Sequence, residues 1–134
     1  MIVIDANKLI LGRLAAVVAK RALKGEEIII VNSENAVITG RKKDLLNQYH
    51  AKRARGDPLY GPYFPRRPNL IIKRTIRGML PYKQEKGLKA LNRIKCYNGI
   101  PLELKDKKME MLAEAKLKGG VVGYMSLKEI SSLI

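Results

Sequence analysis

The chain opens on a short unbroken apolar run, Met1-Ile2-Val3-Ile4, closed by Asp5, which predicts a strand. Leu11, Leu14, Ala15, Val18 and Ala22 then recur at the spacing of one helical face. They predict a helix over residues 11–23, with Gly25 suited to end it. Between Glu27 and Asn32, Ile28-Ile29-Ile30-Val31 shows no alternation, the pattern of a strand buried on both faces. Ala36-Val37-Ile38-Thr39 predicts a further short strand, broken at Gly40. Strand, helix and strand with so few linking residues imply a parallel pair joined by a right-handed crossover.

From Arg41 to about Arg55 the period turns helical, with Leu45, Leu46 and Tyr49 on the apolar side. Residues 56–68 cannot continue it: four prolines and two glycines in thirteen positions make an extended loop. Pro68 is placed to open a helix running to Leu80, and Pro81 to end it. On that helix Ile72, Ile76 and Met79 share a sector of about 60° and are expected in the core. Lys73, Arg74 and Arg77 share a separate sector of about 100°. A second helix over residues 83–94 repeats the design, with Leu88, Leu91 and Ile94 expected inward and Lys86, Lys89 and Arg93 outward. Ile94 to Tyr97 predicts a last strand before the Asn98-Gly99 turn. A helix over residues 107–117, stopped by Gly119-Gly120, and a short terminal helix capped by Ser126 and Glu129 complete the expected elements.

Composition makes this one domain with an ordinary aliphatic core: 134 residues, 46% hydrophobic, 5% aromatic and no Trp. Charge changes the picture more. There are 27 Lys and Arg against 12 Asp and Glu, a net charge of +15. Residues 1–40 carry five basic and four acidic groups, residues 41–95 sixteen and three, and residues 96–134 six and five. Nearly the whole excess lies in the middle segment, so near-neutral flanks hold out a basic surface for a polyanion. No run approaches the ~18–20 apolar residues of a membrane span, and the N-terminus lacks the basic-then-apolar order of a signal peptide, so a cytoplasmic location is expected. The lone Cys96 excludes an internal disulfide and a cysteine-based metal cluster, and reads as a small buried hydrophobe.

Catalytic signals are weak. His50, the one histidine, sits among Lys52, Arg53 and Arg55, where its protonated neighbours make it a poor proton acceptor. Gly12 and Gly40-Arg41-Lys42-Lys43 each follow an apolar run and precede a helix, yet neither carries the second glycine and hydroxyl of a phosphate-binding Walker loop. A nucleotide-binding or RNA-modifying enzyme on a small α/β sheet is the alternative function, and no base, nucleophile or phosphate loop supports it. Attachment to an anionic membrane would need apolar helix faces free to insert, and here the core needs them.

The positive signal is RNA binding. Irregular RNA is held by cations on phosphates and by bases stacked on aromatic or guanidinium planes. The candidate contacts are Arg41, Lys42, Lys43, Lys52, Arg53, Arg55, Tyr60, Tyr63, Arg66, Arg67, Lys73, Arg74, Arg77, Gly78, Lys83, Lys86, Lys89 and Arg93. Phe64 and Tyr82 are interleaved with them, and Tyr49 faces either the core or the RNA. The loop of residues 56–68 is expected to order only on a partner.

Several segments together go further. Asp5-Ala6, Leu11-Gly12-Arg13-Leu14-Ala15, Val31-Asn32-Ser33-Glu34 and Val37-Ile38-Thr39-Gly40 resemble the opening of the large-subunit ribosomal protein thirteen family. Ile76-Arg77-Gly78-Met79-Leu80-Pro81, with Lys83, Gly87, Leu91 and Ile94-Lys95-Cys96-Tyr97-Asn98-Gly99, resembles its most specific signature. Tyr60-Gly61-Pro62-Tyr63 resembles archaeal and eukaryotic members. Ile100-Pro101 stands where bacterial members carry a His-Pro-His run, so bacterial contacts near residue 101 are not carried over. The resemblance implies a three-layer α/β/α domain with a four-stranded parallel sheet over residues 1–134, with a basic segment at 41–95 and a helical tail at 102–134. It implies a structural role without enzymatic activity or cofactor. The partners would be large-subunit rRNA and neighbouring large-subunit ribosomal proteins, with early entry into assembly. On this reading Gly78 lets backbone or RNA approach, Met79 and Leu80 anchor the helix, Pro81 turns the chain, and Arg77 and Lys83 face outward.

Overall fold

The computed structural model describes residues 2–56, 59, 61, 63–117 and 123–134. The apolar opening run forms strand β1 (Ile2–Asp5), helix α1 covers Leu11–Leu23, and the aliphatic run forms β2 (Ile28–Val31). β1 and β2 pair in parallel, Ile2 opposite Ile28 and Asp5 opposite Val31, as the strand–helix–strand pattern requires. The predicted stripe of α1 is buried, together with Ala19. Gly25 follows its end at φ +101°, a left-handed turn that other residues rarely adopt.

Strand β3 (Val37–Thr39) and helix α2 (Lys42–Ala54) come next, then α3 (Pro68–Gly78), α4 (Glu85–Asn92) and β4 (Ile94–Cys96). β5 (Tyr124–Ser126) runs into α5 (Leu127–Leu133), whose first turn is capped as expected: the Glu129 amide donates to Ser126 Oγ at 3.3 Å. β4 lies parallel to β2, giving a sheet of order β1-β2-β4. Side chains alternate across it. Ile4, Ile28, Ile30 and Ile94 enter the main core with the α1 stripe and with Ile71, Ile72 and Ile76 of α3. On the other face Val3, Val31 and the half-buried Ile29 meet Leu104 and Met109.

Four expectations are corrected. The parallel sheet has three strands, because β3 pairs instead antiparallel with β5, Val37 opposite Ser126 and Thr39 opposite Tyr124. A parallel neighbour of β2 needs a crossover of about a dozen residues, and β3 follows β2 after only a 3-10 turn at Ser33–Asn35. The helix expected over residues 107–117 is absent; Gly119 and Gly120, its expected stop, lie outside the described residues. That stretch is a strap along the sheet's free edge. Glu110 N–H donates to the Val3 carbonyl at 2.8 Å, Asp5 N–H to Glu110 at 3.2 Å, Ile10 N–H to Ala115 at 2.8 Å and Leu117 N–H to Lys8 at 3.0 Å.

Met79 is 45% exposed rather than in the core, since α3 ends at Gly78 and Leu80 alone turns inward. On α4 the buried face is Gly87 and Ala90, and Leu88 is 51% exposed. Gly87 sets this rotation: a Cβ there would collide with the Pro81 carbonyl, so the glycine must face the preceding turn.

Candidate nucleic-acid interface

Helix α2 begins in a cluster of exposed cations, with Arg41 as its flanking residue and Lys42 and Lys43 in the first turn. Its apolar side is narrow. Leu45 and Tyr49 are buried, which settles Tyr49 as a core residue, and burial raises the affinity of its phenol for the proton. Near the helix's end Lys52, Arg53 and Arg55 are exposed, and Arg53 donates to the backbone oxygen of Ile134 at 2.6 Å. His50 is exposed among them.

The second half of the Pro-rich loop is packed on the chain itself, against the expectation that it orders only on a partner. Phe64 is half-buried edge-on to Tyr49, ring centroids 5.8 Å apart. Lys52 Nζ stands 5.5 Å and the Arg74 guanidinium 5.9 Å from the same ring. The Tyr63 carbonyl accepts from Arg74 at 3.1 Å, and Arg66 Nε donates to the Ser131 carbonyl at 3.0 Å. Phe64 therefore belongs to the scaffold. Tyr63 and Arg67 are exposed; Tyr60 lies outside the described residues.

On α3, Lys73, Arg74 and Arg77 are half-buried rather than fully exposed. The Arg77 guanidinium lies 4.8 Å over the Tyr82 ring. Burial, then the charge of Arg77, lower the proton affinity of Arg74, with a smaller opposing effect from Tyr82. Lys52, Phe64, Arg74, Arg77 and Tyr82 thus form one run of cations and rings linking α2, the loop, α3 and the turn before α4. Lys83 is exposed in that turn. Lys86 and Lys89 are exposed on α4, where Lys89 pairs with Glu85 at 3.0 Å. Arg93 is half-buried and donates to the Ala22 carbonyl at the end of α1 at 2.9 Å, so it ties α4 to α1. Gly78 ends α3 with nothing within 4 Å of where a Cβ would stand.

Two further features escaped the sequence reading. Leu70 is 44% exposed among the α3 cations. Its signal was available: two residues before Ile72, it falls about 160° from that core position, within the sector of Arg74 and Arg77. Lys95, on β4, is exposed on the face opposite Ile94. Cys96 is half-buried and its thiol is pushed up to about 12, chiefly by burial, with Lys73 opposing.

Of the sixteen cations in residues 41–95, Lys89 alone is joined to a side-chain carboxylate among the described residues. A second ion pair, Arg21 with Glu110, lies outside the segment. Among the described residues no group of three His, Cys, Asp or Glu side chains could hold a metal ion, and no helix is long and apolar enough to cross a membrane. A cluster of cations with so few carboxylate partners among the described residues is the kind of surface that a polyanion would neutralise.

Known proteins resemble the chain over most of its length. The family described as ribosomal protein L13 matches residues 1–103. The chain belongs to this family. The family is structural and non-enzymatic. Relatives named large ribosomal subunit protein uL13 match almost end to end. The Methanosarcina barkeri protein is 56% identical over 98% of this chain and 95% of its own length. The Methanopyrus kandleri protein is 46% identical over 96% and 83%, and the Methanocaldococcus jannaschii protein 47% identical over 98% and 95%. The family match stops at residue 103, whereas these archaeal relatives extend over the strap and α5 as well.

Proposed function

We propose that this protein is a structural component of the large ribosomal subunit that binds large-subunit rRNA through residues 41–95, lies beside other large-subunit proteins on the cytoplasmic ribosome and joins the subunit early in assembly. The observation that carries this is the set of sixteen cations, of which Lys89 alone meets a side-chain carboxylate among the described residues. Such a surface repels itself until phosphates neutralise it. Family membership supports the ribosome as the source of those phosphates. The rigid core supplies the second half of the role. α1, α3 and α4 are packed on one sheet, so cations on separate elements hold fixed relative positions and can fix converging RNA segments in turn.

Crosslinking of the protein to RNA in living cells, read out by sequencing, tests the proposal. Reads should concentrate at a few places in large-subunit rRNA. Reads spread evenly over cellular RNAs would reduce the protein to a nonspecific polycation and overturn it.

A further inference from the structure

We propose that the depression between α3 and α4 lined by Pro65, Leu70, Lys73, Arg74, Arg77 and Leu91 holds a single unstacked RNA base, with the cations on the phosphates flanking it. This deepens the rRNA-binding reading and rests on it. The depression has a volume of about 300 Å³, room for one flat ring and its sugar. Leu70, Leu91 and Pro65 give it aliphatic lining, and Lys73, Arg74 and Arg77 cationic lining. That combination suits a nucleotide splayed out of a strand, apolar across its face and anionic on either side.

Two of the cationic groups are already positioned. Arg74 is held by the Tyr63 carbonyl at 3.1 Å and by the Phe64 ring. Arg77 is held over Tyr82. Little side-chain freedom remains for them to lose on binding, so the site is preorganised. Neither arginine, nor Lys73, pairs with a carboxylate among the described residues. An apolar side chain from a neighbouring protein could cover Leu70, but it would desolvate three cations and return no negative charge. A base with its phosphates satisfies both parts.

The test uses the full chain and a transcript of Methanosarcina barkeri large-subunit rRNA. Leu70→Ala removes aliphatic lining without touching charge, and should weaken binding about tenfold at unchanged salt dependence, the scale expected for losing most of an isobutyl contact. Lys73→Gln should instead reduce the slope of log affinity against log salt by roughly 0.7–0.9. Short-wave ultraviolet light joins bases, not phosphates, to adjacent side chains. It should crosslink the peptide spanning residues 68–80, less so in Leu70→Ala. Unchanged affinity and crosslinking in Leu70→Ala would overturn the base site while leaving rRNA binding intact. Loss of a neighbouring protein from reconstituted subunits, with RNA affinity unchanged, would assign the depression to that protein and equally overturn it. Failure of the unaltered chain to bind the transcript would sink the rRNA reading itself. Should Leu70→Ala unfold, Leu70→Gln keeps the side-chain length and supplies the same comparison.

Discussion

Ile76 and Met79 are three residues apart on one predicted face, yet the fold treats them differently. Ile76 is fully buried; Met79, one residue past the end of α3, is 45% exposed. Ile76→Ala should therefore cost about 2–5 kcal/mol as a cavity in a packed core. Met79→Ala should stay within about 0.5 kcal/mol, as surface changes do. Equal costs in urea unfolding would mean that the end of α3 is wrongly placed. Gly78, between them, is not needed for close packing among the described residues: its backbone is helical and a Cβ would meet open space. Gly78→Ala should raise stability by up to about 1 kcal/mol, because alanine loses less backbone entropy. If RNA approaches this Cα, as the family resemblance implies, the same variant should bind rRNA several-fold more weakly. Gain of stability with unchanged affinity would remove Gly78 from the contact surface. A glycine that its own fold does not require is legible only when sequence and structure are laid together, since the sequence alone does not say which glycines are crowded.

At the scale of elements, α1, the aliphatic strand β2 and the capped α5 were legible because local pattern and tertiary burial agree there. The strap was not. Met109, Leu112 and Ala115 recur every three residues, which suits a helix. In the fold Leu112 and Ala115 are buried and Met109 half-buried, but from a chain with no α-helix, only a 3-10 turn at Ala113–Ala115. The apolar positions were right and the period was misassigned, since the deciding bonds run to Val3, Asp5 and Ile10, far away in sequence. Strand β3 was legible but its pairing was not, for the same reason: its partner β5 lies beyond residue 123. One ion pair holds the strap to α1. Arg21 meets Glu110 through two hydrogen bonds of 3.0 Å, which keep the Glu110 carboxyl below its ordinary range. A depressed carboxylate contributes stability above its unfolded pKa and loses it as pH falls through the folded value. Glu110→Gln should therefore cost roughly 0.2–1 kcal/mol at neutral pH, small because the pair is half-exposed. The difference from the unaltered chain should begin to shrink near the ordinary carboxylate value of 4.5 and vanish only once the pH has fallen below the depressed folded value. A difference that persists in acid would assign the strap's attachment to packing alone.

For the whole molecule, the same charges act in opposite senses on folding and on binding. A net charge of +15 sits on 134 residues, and most of the excess lies in residues 41–95. In the free protein these cations repel one another, and added salt, with a Debye length of ~10 Å at 0.1 M, screens that repulsion. Bound to RNA they displace counterions, and added salt favours release instead. Raising salt from about 50 to 200 mM should therefore raise the Tm of the free protein. Over the same range rRNA affinity should fall by roughly 10³–10⁵ if about six to ten phosphates are neutralised. Lys42, Lys43, Lys83 and Lys86 allow the two effects to be separated, because all four are exposed and none has a carboxylate partner among the described residues. Changing all four to Gln should leave the core untouched and the free protein at least as stable. Each one that meets a phosphate should take roughly 0.7–0.9 from the slope of log affinity against log salt. Thermal melts and filter binding across a salt series read both quantities. A lower Tm in the variant would show that these lysines hold the fold together. An unchanged slope would show that the phosphates meet other cations, leaving Arg74 and Arg77 on α3 to carry the contact.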